Sequence, residues 1–256
     1  MRLEEYSETL AYEVAFWAQG LTNPKYPLAE MGALSLDLSR KLRALAIMAL
    51  VVGGSTDSFC HNLIRSGLGR LAYLKRVQAS GQRSDHHWCS ARYEPFLDAL
   101  AAGDFALARE IIALSPSEFR DGHEYEDDYS YAQILSCWVA QPSRDSEVPG
   151  LLDRFAQYVE DQPNARLAVC RALAARDQTA FDEAFADVLL ARDLEIEAAK
   201  TRGQLEEPHV VALRRVFVEG LAILRMAELR GLSTEREYRY CPSLAREPMR
   251  MPFPGE

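Results

Sequence analysis

Apolar residues recur at three- and four-residue steps along most of the chain, and nothing alternates at period two over a useful length. That pattern predicts helix after helix and no substantial sheet. Glu4 to Gln19 reads as an aromatic amphipathic helix carrying Tyr12, Ala15, Phe16 and, on an adjoining face, Trp17; Asn23-Pro24 and Tyr26-Pro27 interrupt it. Leu34 to Val52 predicts a deeply buried second helix. After Gly53-Gly54-Ser55, Asp57 or Ser58 is placed to cap a third, whose Leu63, Ile64, Leu68, Leu71 and Leu74 share one face. Phe96, Leu97 and Leu100, then Leu107, Ala108, Ile111 and Ile112, predict a hairpin ending at Ser115-Pro116. Ile134, Leu135 and Trp138 mark another helix. A second half opens near Leu151 with Leu152, Phe155, Ala156 and Val159, and Phe181, Ala184, Phe185, Val188 and Leu189 form a further stripe. From His209, the positions Leu213, Val216, Phe217, Gly220, Leu221 and Leu224 read as one last long helix.

Between these stripes a short motif repeats. Ala99-Leu-Ala-Ala-Gly-Asp104 is answered by Ala172-Leu-Ala-Ala-Arg-Asp177, and Ala227-Glu-Leu-Arg-Gly231 is a fainter third occurrence. The alanines let two helices approach closely, while Gly103 or Asp104 and Asp177 suit a turn followed by a new helix start. The expected architecture is all-α, an irregular array of antiparallel helical hairpins of tetratricopeptide-like kind. It is expected to form one elongated domain over 1–256, or two intimate halves, 1–140 and 151–256, joined by a polar linker at 141–150.

Composition changes the picture only at its margins. With 256 residues and 48% hydrophobic content the chain can bury a large core. A formal charge of −9 argues against general nucleic-acid binding, which needs clustered Lys and Arg. Arg65, Arg70, Lys75 and Arg76 with Tyr73 could form a local basic patch, but read better as a solvated helix face. Arg239, Arg246 and Arg250 lie in a proline-containing tail expected to pack with Tyr238 and Tyr240 over the last hairpin and to fray beyond Pro248. Cys60, Cys89, Cys137, Cys170 and Cys241 are scattered without a close pair, as expected of reduced, buried thiols. The acidic start lacks a secretory pattern, and the most apolar stretch, Ala44 to Gly54, is too short for a bilayer span, so a cytoplasmic location is expected.

Candidate chemistries fail on their context. Asp127-Asp128 lacks the further acid that an isoprenoid-type DDxxD motif needs where Tyr131 stands. Asp121, His123 and Asp127 have no recognised metal-ligand spacing, and no Cys-x-x-Cys occurs. Asp85-His86-His87 matches a phosphoesterase signature without the strands and further aspartates that family uses. Cys60 and His61 are adjacent and so point apart on a helix, and Gly53-Gly54 and Gly67 to Gly69 lack the Gly-Lys-Ser/Thr ending of a phosphate loop. No enzymatic activity and no cofactor are expected.

His61-Asn-Leu-Ile-Arg65 with Leu71-Ala-Tyr-Leu74, and Phe217-Val-Glu-Gly-Leu-Ala-Ile-Leu-Arg225 running into Ala227-Glu-Leu-Arg-Gly-Leu232, resemble polymorphic-toxin immunity family 49, with Tyr238 and Cys241-Pro242 closing the tail. The resemblance implies a bacterial antidote that acts stoichiometrically on a toxin encoded beside it; it carries over no catalytic residue and does not name the toxin.

Glu118 to Asp128 holds six acidic residues interleaved with tyrosine. Here the toxin contact is expected, at Asp121, Glu124, Tyr125, Glu126, Asp127, Asp128, Tyr129 and Tyr131. Carboxylates can occupy the phosphate positions of a basic cleft in an enzyme acting on nucleic acid or nucleotides, and tyrosines serve as rigid anchors. A solvated loop and helix face is the plainer account of the same run. The alternative function is an adaptor or chaperone whose groove holds a partner's peptide or helix; no repeated polar set at equivalent repeat positions supports it. Neither function involves nucleic acid or a membrane directly.

Overall fold

The computed structural model describes residues 3–82, 86–160, 162–204 and 208–254. Asp85, part of the phosphoesterase-like triplet, lies outside them. The fold is all-α, as the periodicity predicts: α1 (Leu3–Thr22), α2 (Leu28–Val51), α3 (Thr56–Ser80), α4 (Glu94–Ala101), α5 (Phe105–Leu114), α6 (Glu126–Val139), α7 (Val148–Tyr158), α8 (Ala165–Ala175), α9 (Gln178–Thr201), α10 (Pro208–Leu213) and α11 (Val218–Leu229). One hydrophobic cluster runs from Leu10 in α1 to Ala245 beyond α11. α2 packs most extensively on α3, α11 lies against α4, and α6 bridges to α7 and α8.

The repeated motif is a helix-ending turn. The Asp104 amide donates to the Ala99 carbonyl and that of Gly103 to Leu100; Asp177 and Arg176 do the same to Ala172 and Leu173, and Leu232 and Gly231 to Ala227 and Glu228. These paired bonds form a Schellman motif, whose left-handed residue is Gly103 (φ 79°), Arg176 (φ 54°) or Gly231 (φ 85°). In the first two copies the next aspartate caps the following helix, Asp104 accepting from Leu107 N at 2.9 Å and Asp177 from Ala180 N at 3.1 Å. The third copy departs from expectation. It has Leu232 at the capping position, buried, and opens no helix.

Other boundaries move for identifiable reasons. α2 begins at Leu28 rather than Leu34, because Pro27 stands at its N-cap with its carbonyl accepting from Glu30 and Met31. Ser55 caps α3 by accepting from Ser58 N at 3.2 Å, in place of Asp57 or Ser58. Asp57 is instead turned to the C-terminal tail, accepting from Arg250 N at 2.7 Å and Met251 N at 3.3 Å. His61 meets the Phe253 ring at 5.4 Å, so the tail is held well past Pro248. The expected last long helix is two. The Phe217 amide donates to the Tyr240 carbonyl at 2.8 Å, which holds Phe217 extended between α10 and α11 although the apolar stripe runs through it. Gly220 admits this tail: a Cβ there would stand 2.7 Å from the Cys241 sulfur.

Segment 141–150 is tied down rather than free. Asp145 pairs with Arg230 at 2.9 Å, the Arg144 amide bonds Cys137 O, and α7 already starts at Val148.

The arginines of α3 form neither a patch nor a uniformly solvated face. Arg70 is buried beside Tyr73, donating to the carbonyls of His87 and Cys89, and burial lowers its pKa to about 10. Arg76 gathers the carbonyls of Asn23, Pro24 and Tyr26, closing the turn between α1 and α2. Beneath them, buried Asp98 accepts from Arg43 at 2.7 Å, Ser66 at 2.5 Å and Ser39 at 3.2 Å, joining α2, α3 and α4.

Candidate functional site

Half of the acidic run has a structural cause. Glu126, Asp127 and Asp128 occupy the first turn of α6, where the helix dipole favours negative charge. The chain reaches that turn through 115–125, with Gly122 at φ 74°.

Glu124 lies in this approach and staples it. One carboxylate oxygen accepts from Ser90 Oγ at 3.0 Å and Ala91 N at 2.9 Å, the other from Arg120 N at 3.0 Å. Glu124 is therefore held by donors within the chain while its side chain stays part-exposed. Glu126 is paired with Arg154 at 2.5 Å, and the same guanidinium covers the rings of Phe119 and Tyr129 at 4.9 and 4.8 Å.

Asp128 belongs to a second network. It accepts from the Tyr93 hydroxyl at 3.1 Å and from Arg166 at 3.3 Å, while Arg166 also forms a two-pronged pair with Glu219 at 2.7 and 2.9 Å. Burial raises the Asp128 pKa against the pull of Arg166. Burial also works against charge on Arg166, but Glu219 overrides it and raises the arginine's pKa. This cluster links α6, α8, α11 and the residue before α4.

Two of the expected tyrosine anchors are core residues. Tyr129 is buried, donating to Ser117 O at 2.7 Å, and Tyr131 is fully buried between Tyr93 and Arg166, with its hydroxyl lacking a partner among the described residues. Their helical phase turns them inward, and neither can be a rigid anchor at a surface. Of the expected set, the surface retains Asp121 and Tyr125, both exposed, with the part-exposed Glu124, Glu126, Asp127 and Asp128. Tyr125 is 71% exposed.

Tyr158, at the end of α7 and remote in sequence, completes this face. Asp121, Glu124, Tyr125, Glu126, Asp128 and Tyr158 line a cleft of about 540 Å³, with Arg92 also in its wall. The Tyr158 pKa is raised by desolvation and by the neighbouring Asp127, Tyr125 and Glu126. Sequence reading missed Tyr158; its signal was an aromatic residue off the apolar stripe of α7. Among the described residues no three His, Cys, Asp or Glu side chains gather to hold a metal ion, so Asp121, His123 and Asp127 do not form such a group. Among them, too, no helix is long and apolar enough to cross a membrane. The arrangement offers an anionic, tyrosine-bearing recess suited to cationic side chains.

Compared with known proteins, the chain matches the family model described as Immunity protein 49 over residues 63–245, most of its length. No curated protein and no solved structure matches it.

Proposed function

The chain belongs to the Immunity protein 49 family, and from that premise we propose that it neutralises a cognate bacterial toxin in the cytoplasm by stoichiometric binding that covers the toxin's active site. The family match over 63–245 carries this reading. Inhibition by coverage requires complementary shape and charge from the antidote and no catalysis.

The contact is assigned to the face built by Asp121, Tyr125, Glu126, Asp127 and Tyr158. Its charge fits a toxin with a basic cleft, of the kind that acts on nucleic acid or nucleotides. Attraction between a chain of charge −9 and such a cleft speeds encounter, and the two tyrosines supply contact area at small entropic cost. Glu124 and Asp128 line the same cleft with carboxylates already engaged by donors within the chain.

Co-expression with the C-terminal domain of the adjacently encoded protein tests the reading. Host survival and a co-purifying complex are expected. Asp121→Lys combined with Asp127→Lys and Tyr125→Ala is expected to fold normally and to slow association about tenfold or more at low salt, with the difference shrinking as salt rises. A triple variant that associates at the wild-type rate overturns the acidic-face assignment alone. A wild-type chain that neither protects nor binds overturns neutralisation, and co-purification with a constitutive partner instead points to an adaptor.

A further inference from the structure

A second recess lies between the C-terminal ends of α5 and α6 and the segment before α4, with a volume of about 420 Å³. Its charge is opposite to that of the acidic face. Arg92, Arg109 and Arg144 line it, and no described residue in its wall is a carboxylate, in a chain whose net charge is −9. Phe96 and Ile111 form part of its apolar wall.

The three arginines are incompletely used by the protein. The Arg92 Nε is buried without a hydrogen-bond partner, and no acceptor or carboxylate among the described residues takes its guanidinium. Arg109 donates through Nε to the Val139 carbonyl at 3.2 Å, which caps the end of α6 and leaves both of its Nη groups for another acceptor. Among the described residues the Arg144 guanidinium pairs with Glu147 alone, three residues on, at 3.5 Å. Capping of α6 accounts for Arg109. It does not account for Arg92, whose enclosed donor is costly until something accepts from it. Glu124, behind Ser90, has its hydrogen bonds committed to Ser90, Ala91 and Arg120.

We propose that this recess binds an organic anion, a carboxylate or phosphate monoester with an apolar body, its charged end held by Arg92, Arg109 and Arg144 and its body against Phe96 and Ile111. Guanidinium groups match the planar carboxylate and the phosphate oxygens with paired donors. A half-enclosed recess with an apolar wall and a few convergent polar groups is the usual form of a small-molecule site. The recess shares Arg92 with the wall of the acidic cleft, but the proposal does not depend on the neutralisation reading.

Calorimetric titration of the full-length chain with inorganic phosphate, citrate and adenosine monophosphate, each at ionic strength matched with sodium chloride, tests the proposal. Saturable one-to-one binding of adenosine monophosphate or citrate is expected, weakened about tenfold or more in Arg92→Gln and in Arg109→Gln and unchanged in Arg236→Gln, an exposed arginine outside the recess. Arg144→Gln, on the segment between α6 and α7, provides the same reading should either of the more enclosed variants fail to fold. Adenosine monophosphate binding without citrate assigns a phosphate ester, and the reverse a carboxylate. Inorganic phosphate binding as tightly as adenosine monophosphate overturns the role of the apolar wall. Absence of saturable binding by all three probes, or binding unchanged in every folded recess variant, overturns the site.

Discussion

Single residues in this chain carry more internal work than their exposure on a sequence diagram implies. Asp98 illustrates it: a lone aspartate within Pro95-Phe-Leu-Asp-Ala-Leu100 reads as the polar position of an amphipathic helix, yet its side chain is fully buried on Arg43, Ser39 and Ser66. Breaking such a pair leaves the largely enclosed Arg43 charge with the Glu94 carbonyl as its remaining hydrogen-bond acceptor among the described residues. Asp98→Ala is therefore expected to cost about 3–5 kcal/mol, measured by urea denaturation; a loss below about 1 kcal/mol would show that water reaches Arg43 in the variant. Glu124 and Asp128 follow the same logic. Their charge was legible, but which carboxylates are engaged within the chain depended on donors 30 or more positions away, namely Ser90, Ala91, Tyr93 and Arg166.

Helix ends repeat more faithfully than helix pairs. The Ala-Leu-Ala-Ala motif specifies a Schellman turn, and its closing aspartate decides whether a helix follows. Asp104→Ala and Asp177→Ala are each expected to lower stability by about 1 kcal/mol through loss of the N-cap, additively because the caps serve separate hairpins. At Arg176 the left-handed backbone is held by a residue with a Cβ and an exposed side chain. Arg176→Gly is expected to stabilise by about 0.5–1 kcal/mol in the same denaturation series, and a destabilised variant would contradict the strain assigned there. Periodicity misled at the next scale up. The stripe from Leu213 to Leu224 continues across a real break, since the side-chain pattern does not record that the Phe217 amide prefers the Tyr240 carbonyl.

Across the whole molecule, the cysteines report how thoroughly the core excludes water. All five are free and buried; burial raises Cys60 and Cys137 to about 11 and Cys241 to about 12, with Cys170 higher still. In the unfolded chain a thiol titrates near about 8.5. A rising pH thus takes protons from the unfolded state first, so stability is expected to hold below about pH 8.5 and to fall as pH climbs toward 11 and beyond. Thermal melts between pH 7 and 11 check the direction. At pH 8 a disulfide reagent is expected to label none of the five thiols in the native protein and all of them in denaturant. Fast native labelling of Cys60 or Cys137 would show local opening at α3 or α6.

The sequence by itself determined the all-α class, most helix stripes, two of the three hairpin turns and the family resemblance, because backbone preference, apolar period and capping chemistry are local. Tertiary structure alone decided the function of each polar group. Tyr129 and Tyr131 turn inward where Tyr125 faces out, Tyr158 joins them from a different helix, and the tail splits the last stripe while securing α3. Each of these outcomes depends on competition between distant donors, acceptors and apolar surfaces for the same space. Only the folded chain brings those competitors together.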